Sequence, residues 1–231
     1  MLLVFPPPPP RTERIGYEPS SPLVQDFKLL RLDDAELLFH LFAGCCPGDS
    51  RSLSWDLCYG FFYRNREQFL YSNPSPAYLD LGALELSSYL ASFGMYRNKV
   101  LRTLNRNLFS AILQTLVEKA RDAPIDPYSS GGILSVGQLH ILIDAVNSGY
   151  KAFLLGSKYP NPRHPSVTFI SKILMGVMGV LPAFDVCFKA AMPVFNSKAP
   201  EDCRLSDKLD DTSLTALLKV IQAFQCPSLS Q

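Results

Sequence analysis

The residues best suited to bind an anion form a short basic run within the stretch YLASFGMYRNKVLRTLNR. Lys99, Arg102 and Arg106 recur at intervals of three and four residues, so they share one face of a helix, with Tyr96 and Arg97 at its start. Arginine offers a planar fork of donors that suits phosphate. The run predicts either an anion or nucleic-acid site or a solvated polar face.

A carboxylate is the second candidate for chemistry. Asp185 follows Pro182 in the stretch GVLPAFD, where it serves either as an acid in the first turn of a helix or as a catalytic carboxylate facing a pocket. Glycine followed by Pro-x-x-Asp resembles the helix-hairpin-helix DNA glycosylases, and that resemblance implies a nucleic-acid enzyme. The hairpin signature Leu-Pro-Gly-Val-Gly of those enzymes is missing from this sequence.

The elements that must position these residues are helices. Apolar residues recur at helical spacing through most of the chain and strand-like alternation is almost absent, so we predict an all-α domain of about eight helices. The predicted ranges are 33–44, 52–71, 78–93, 95–120, 135–155, 166–180, 182–194 and 211–224. A disordered, Pro-rich arm is predicted over residues 1–21, followed by a helical domain over 22–231.

Five residues are assigned structural roles. Trp55 is predicted to lie in the core, and Gly94 is predicted to separate two helices, because glycine is costly inside a helix. Gly176 and Gly179 are three residues apart, and we expect them on one helical face that packs closely against a neighbour. Pro182 is expected to start the next helix.

The net charge and the cysteine content exclude some classes of function. The net charge is +1, from 22 basic and 21 acidic residues, so no global field attracts nucleic acid or an anionic membrane. The six cysteines and three histidines show no metal-ligand spacing, so we expect reduced thiols and no cofactor. Without a signal peptide or an apolar run that could span a membrane, a soluble cytoplasmic protein is expected.

Three segments resemble the landmarks of a family of bacterial all-helical proteins without an established activity. They are SWDLCYGFF, LELSSYLASFGMYRNKVL and FISKILMGVMGVLPAFDVCF. The family's middle segment is approximately Leu-Ala-Ser-Trp-Gly-Met-Tyr-Arg-Gly-Ser-Ser, and this sequence departs from it at Phe93 and at Asn98-Lys99. The resemblance implies an all-helical fold and indicates neither the presence nor the absence of an enzymatic activity.

Two functions therefore stay open. The first is a binding or interaction module, with a bacterial accessory or defence system as one hypothesis for its context. The alternative is a nucleic-acid enzyme that uses the basic helix face for phosphates and Asp185 for catalysis. The partner is not identified by the sequence; protein and nucleic acid, bound through the local basic face, are the two hypotheses, and no membrane is expected.

Overall fold

The computed structural model describes residues 50–97, 107–128, 134–155 and 164–225. Within these ranges every regular element is a helix, which confirms the all-α prediction. The α-helices are α1 (Ser50–Arg64), α2 (Pro76–Ser92), α3 (Asn107–Asp122), α4 (Val136–Leu155), α5 (Val167–Met178), α6 (Val186–Asn196) and α7 (Asp211–Gln225). Short helical turns cover Glu67–Tyr71 (π), Met95–Arg97 (3₁₀) and Glu201–Cys203 (3₁₀).

Helix α5 lies at the centre of the domain. Every residue from Phe169 to Met178 is buried, and the helix contacts α1, α2 and α4. Its N-terminus is capped by Ser166, whose hydroxyl accepts a hydrogen bond from the Phe169 N–H group at 3.2 Å. A helix that is apolar on all sides is expected to be enclosed by other helices, as this one is.

Helices α1 and α2 run antiparallel. The Ser92 hydroxyl, at the end of α2, lies 2.8 Å from that of Ser54, near the start of α1. At the other end of the pair the rings of Phe61 and Tyr78 are 6.2 Å apart. Helix α3 packs on α2, and the segments of the chain that resemble the bacterial family are thereby brought around α5.

The closest approach of two helix backbones among the described glycines is at Gly149, between α3 and α4. A Cβ atom at this position would lie 2.7 Å from the Cα atom of Ile112, so only glycine fits without moving the helices. The predicted range 135–155 matches α4, which begins with a capping box: the Ser135 hydroxyl accepts from the Gln138 N–H group at 3.2 Å, and the Gln138 side chain accepts from the Ser135 N–H group at 2.9 Å.

The start of α6 differs from the prediction. Pro182 does not begin a helix; it lies in a buried link between α5 and α6, and the helix starts at Val186. The reason is that Asp185 has an extended backbone and acts as the N-cap, a role that requires non-helical dihedral angles. The sequence pattern could not separate a proline at the first helical position from one a few residues earlier.

Several predictions fall outside the described residues. These are the arm over 1–21, the helix over 33–44 and the part of the long helix predicted over 95–120 that covers residues 98–106. Within the range predicted as one long helix, the structure describes the turn Met95–Arg97 and helix α3. In the described part of the chain no helix is long and apolar enough to cross a membrane.

Candidate functional site where three segments meet

The first and the middle of the three segments that resemble the bacterial family contact α5, which belongs to the third, through Trp55 and Tyr89. The Trp55 indole N–H group donates to the Met175 carbonyl at 3.1 Å, and the Tyr128 hydroxyl donates to the Val177 carbonyl. Carbonyls near the end of a helix can accept hydrogen bonds from outside it, and these two side chains use that capacity to attach to the end of α5. Trp55 is half-buried against the core and also stacks on Tyr59, with ring centroids 5.5 Å apart.

Gly179 ends α5 and has a left-handed backbone, with φ of 68°. Its N–H group donates to the Met175 carbonyl at 3.1 Å, as in a typical glycine C-cap. The expectation that Gly176 and Gly179 share one helical face is therefore wrong for Gly179, which lies beyond the helix. Gly176 is inside α5, where a Cβ atom would lie 2.7 Å from the Tyr89 ring, so its close contact is with a side chain of α2.

The link after α5 folds back along that helix. The Ser171 hydroxyl accepts a hydrogen bond from the Phe184 N–H group at 2.9 Å, and the Thr168 hydroxyl donates to the Phe184 carbonyl at 2.7 Å. Both backbone groups of Phe184 are thus satisfied by side chains of α5 rather than by water. This arrangement fixes the next residue, Asp185, beside the helix face that carries Lys172.

Lys172 and Asp185 form a buried ion pair. The Lys172 Nζ atom lies 3.2 Å from Asp185 Oδ2, and the two side chains are 4% and 14% exposed. The same ammonium lies 4.4 Å from the centroid of the Phe93 ring, where the negative face of the ring attracts it. An ion pair so far from water needs both partners, because either charge alone would be buried without compensation.

The second oxygen of Asp185 caps helix α6. Oδ1 accepts hydrogen bonds from the N–H groups of Cys187 at 3.0 Å and Phe188 at 3.3 Å. Both carboxylate oxygens therefore have partners within the protein, and the first-turn interpretation comes closest to the observed geometry. The catalytic role of Asp185 stays a prediction.

Gly94 separates α2 from the next turn. Its φ is 68°, its N–H group donates to the Ala91 carbonyl at 2.9 Å, and the 3₁₀ turn Met95–Arg97 follows directly. A residue with a Cβ atom is strained in this conformation, which explains why glycine stands where the apolar run ends. Phe93, immediately before it, is placed against Lys172.

Tyr96 is held by the helices around it. Its hydroxyl lies 2.5 Å from the Ser87 hydroxyl on α2, and its ring is 6.4 Å from that of Phe109 on α3. Burial raises the pKa of the Tyr96 phenol, and the hydrogen bond with Ser87 opposes that shift. These contacts position the side chain against the core.

The remaining members of the predicted anion site cannot be placed against Tyr96. The backbone of Arg97 belongs to the 3₁₀ turn, whereas Lys99, Arg102 and Arg106 lie outside the described residues. The anion-binding interpretation therefore stays a prediction for all five residues. Within the described ranges no group of three or more His, Cys, Asp or Glu side chains could hold a metal ion.

One surface was missed by the sequence reasoning. The outer face of α6 carries four exposed apolar residues at positions i, i+4, i+7 and i+8, namely Val186, Ala190, Pro193 and Val194. Val186 is 77% exposed and Val194 is 51% exposed. Their helical spacing was visible in the sequence, but the pattern does not say which of two apolar faces lies in the core. We call these four residues the α6 stripe.

Comparisons with protein-family models, with curated proteins and with solved structures found no match to this chain. The resemblance of the three segments to a bacterial family therefore stays a prediction. The structure shows that these segments meet in space, around the end of α5 and the Lys172–Asp185 pair.

Proposed function

We propose that the protein is a helical, cytoplasmic binding module whose α6 stripe receives an apolar segment of a partner protein. The observation that carries this proposal is the exposure of Val186 and Val194, at 77% and 51%, on a helix whose opposite face is buried. Exposed large apolar side chains on one helix face are typical of surfaces that another protein covers.

The helix that bears the stripe is held in place before any partner arrives. Its inner face buries Phe188, Ala191 and Phe195, and the Phe188 ring stacks on that of Phe184 with centroids 4.4 Å apart. Its N-terminus is tied to α5 through Asp185. A surface that is already ordered loses little conformational entropy when it binds, and this favours a binding role.

The charges around the stripe favour an apolar partner over nucleic acid. None of its four residues is charged, and the nearest lysine on the helix, Lys189, lies 2.8 Å from the Asp207 carboxylate. Phosphate recognition needs cations that are free to replace counterions, and none of the four residues of the stripe supplies one.

The proposal is tested with a random-peptide library displayed on phage. Peptides selected on the full chain are expected to be rich in apolar residues and to bind the Val186→Asp, Val194→Asp double variant at least about tenfold more weakly, since a buried charge opposes apolar contact. Leu155→Asp is the matched control, because Leu155 is 75% exposed on a different helix.

Two results would contradict the proposal. In the first, the selected peptides bind wild type and the double variant equally well. In the second, no peptide is selected, while a labelled DNA or RNA duplex binds wild type at low salt with an affinity that falls steeply as salt rises. The second outcome would favour the nucleic-acid alternative and the predicted basic face.

A further inference from the structure

Helix α6 contains a proline in its interior. Pro193 lies inside Val186–Asn196 and belongs to the α6 stripe. Proline has no backbone N–H group, so the carbonyl of Lys189, four residues earlier, lacks the donor that residue i+4 supplies to the other carbonyls of a helix interior. The helix therefore carries one backbone acceptor outside its own hydrogen-bond pattern.

This acceptor lies on the surface of the stripe. The carbonyl of a helical residue points along the axis towards the residue four positions later, so the Lys189 oxygen lies beside Pro193. Lys189, Ala190 and Pro193 are all exposed. The proline ring crowds the oxygen, and carbonyls on the exposed side of a helix turn outward to solvent. The Lys189 side chain is engaged elsewhere, because its ammonium lies 2.8 Å from the carboxylate of Asp207, in the segment before α7.

We propose that the segment bound by the α6 stripe carries a tryptophan whose indole N–H group donates to the Lys189 carbonyl. This inference rests on the proposed function and names the chemistry of the partner. The oxygen carries a partial negative charge, so a partner that covered the stripe with apolar atoms alone would bury it without a donor, which is costly. The complementary partner combines a large apolar surface with one donor group.

Tryptophan meets this requirement better than the other donors. Its indole has a large apolar ring and a single N–H donor without an acceptor, so no second polar group on the ring needs a partner in the contact. A tyrosine hydroxyl is also an acceptor, serine brings little apolar surface, and lysine or arginine would bring a charge to a stripe that has none. The small side chain of Ala190, between Val186 and Val194 along the stripe, leaves room for a ring.

The domain uses the same chemistry in its interior. The indole N–H group of Trp55 donates to the Met175 carbonyl of α5 at 3.1 Å. The ring adds apolar contact, since it stacks on Tyr59 with centroids 5.5 Å apart. The proposed contact would repeat on an outer helix what Trp55 does on the central one.

The test compares one selected peptide in two forms. Peptides selected from the phage library on the full chain are expected to be enriched in tryptophan. One of them is synthesised with tryptophan and with 1-methyltryptophan, which keeps the ring and removes the donor. Wild type is expected to bind the methylated form about three- to tenfold more weakly, because one hydrogen bond to a covered carbonyl is lost.

The variant Pro193→Ala makes the comparison specific to the Lys189 carbonyl. Alanine restores an N–H group at this position, so the helix itself satisfies the carbonyl, and the two peptides are expected to bind with nearly equal affinity. The variant should fold at least as well as wild type, because proline is the least favourable residue in a helix interior. Val194→Ala is the matched control: it trims the stripe without supplying a donor, so it should weaken both peptides and preserve the ratio of their affinities.

Two results would overturn the inference while the proposed function stands. In the first, the peptides that lose binding in the Val186→Asp, Val194→Asp variant contain no tryptophan. In the second, the ratio of the two affinities is the same in wild type and in Pro193→Ala. Peptides that bind the double variant as well as wild type would instead contradict the proposed function, and the inference with it.

Discussion

Helices α5 and α6 follow each other in the chain and have similar apolar compositions, yet they meet different surroundings. In α5 every residue from Phe169 to Met178 is buried, and in α6 only Phe188, Ala191 and Phe195 are. Because residues 169–178 of α5 are buried at the centre of the domain, they offer no surface to a ligand. Helix α6 uses three residues to attach to the domain and presents four apolar ones outward. Apolar content alone therefore does not separate a core helix from a binding helix.

The Lys172–Asp185 pair joins these two helices. Lys172 places a charge within a mostly apolar, buried helix, where the cost of desolvation is offset only by a partner of opposite charge held in a fixed position. The pair contributes orientation more than net stability, since buried ion pairs recover little beyond their desolvation cost. The pair, which includes the predicted catalytic residue Asp185, thereby holds α6 in the position that exposes its stripe.

The largest effect is expected from breaking that link. Asp185→Ala removes the cap of α6 and leaves the Lys172 ammonium buried without a counter-charge, so the free energy of unfolding should fall by about 3–5 kcal/mol. Chemical denaturation measures the change. The variant Lys172→Met with Asp185→Ser keeps a capping hydroxyl and removes both charges, and it should recover most of the loss. If Asp185→Ala is as stable as wild type, the pair does not hold the two helices together.

A smaller loss is expected when the packing of α5 is disturbed. Gly176→Leu forces atoms into the space of the Tyr89 ring and should lower the free energy of unfolding by about 1–3 kcal/mol. The control is Gly137→Leu, because a Cβ atom at Gly137 meets only the Ser135 hydroxyl at 3.9 Å. Equal thermal midpoints for the two variants would show that α5 is not tightly packed at Gly176.

Much of the fold was predictable from the sequence, for local reasons. The capping box at Ser135 and the break at Gly94 depend on a few neighbouring residues, and both occur in the structure. The role of Gly179 and the start of α6 were misjudged, because a C-cap and a link that folds back along α5 depend on tertiary contacts. The partner of Lys172 lies thirteen residues away across that link, and no local pattern indicates it.

Alkaline pH should weaken the contact between α1 and the end of α5, where the Tyr59 ring lies so close to Gly179 that a Cβ atom at Gly179 would be 2.8 Å from it. Burial raises the pKa of Tyr59 from 10.0 to about 12, with a further contribution from Tyr63. The folded state thus holds the phenolic proton more tightly, and this contribution to stability is complete below pH 10 and is lost as pH rises through 12. Stability measured across that window should fall more steeply in wild type than in Tyr59→Phe. Parallel curves would show that the Tyr59 proton does not contribute.

The smallest change in stability is expected when an exposed ion pair of α6 is removed. Lys189→Ala removes a contact of 2.8 Å with Asp207, but both side chains are nearly half exposed and water screens them. The thermal midpoint should stay within experimental error, in contrast to Asp185→Ala. A fall in the thermal midpoint as large as that of Asp185→Ala would mean that the exposed Lys189–Asp207 pair, and not the buried N-terminus of α6, holds the helix in place.

The most direct test of the binding role is to map a bound peptide by NMR on the labelled full chain, with a peptide selected from the phage library. The account predicts that the perturbed amide signals concentrate on α6 around Val186, Ala190 and Val194, and that α5 is little affected. Perturbations concentrated at residues 97–106, or signals that move only when a nucleic-acid duplex is added, would contradict it.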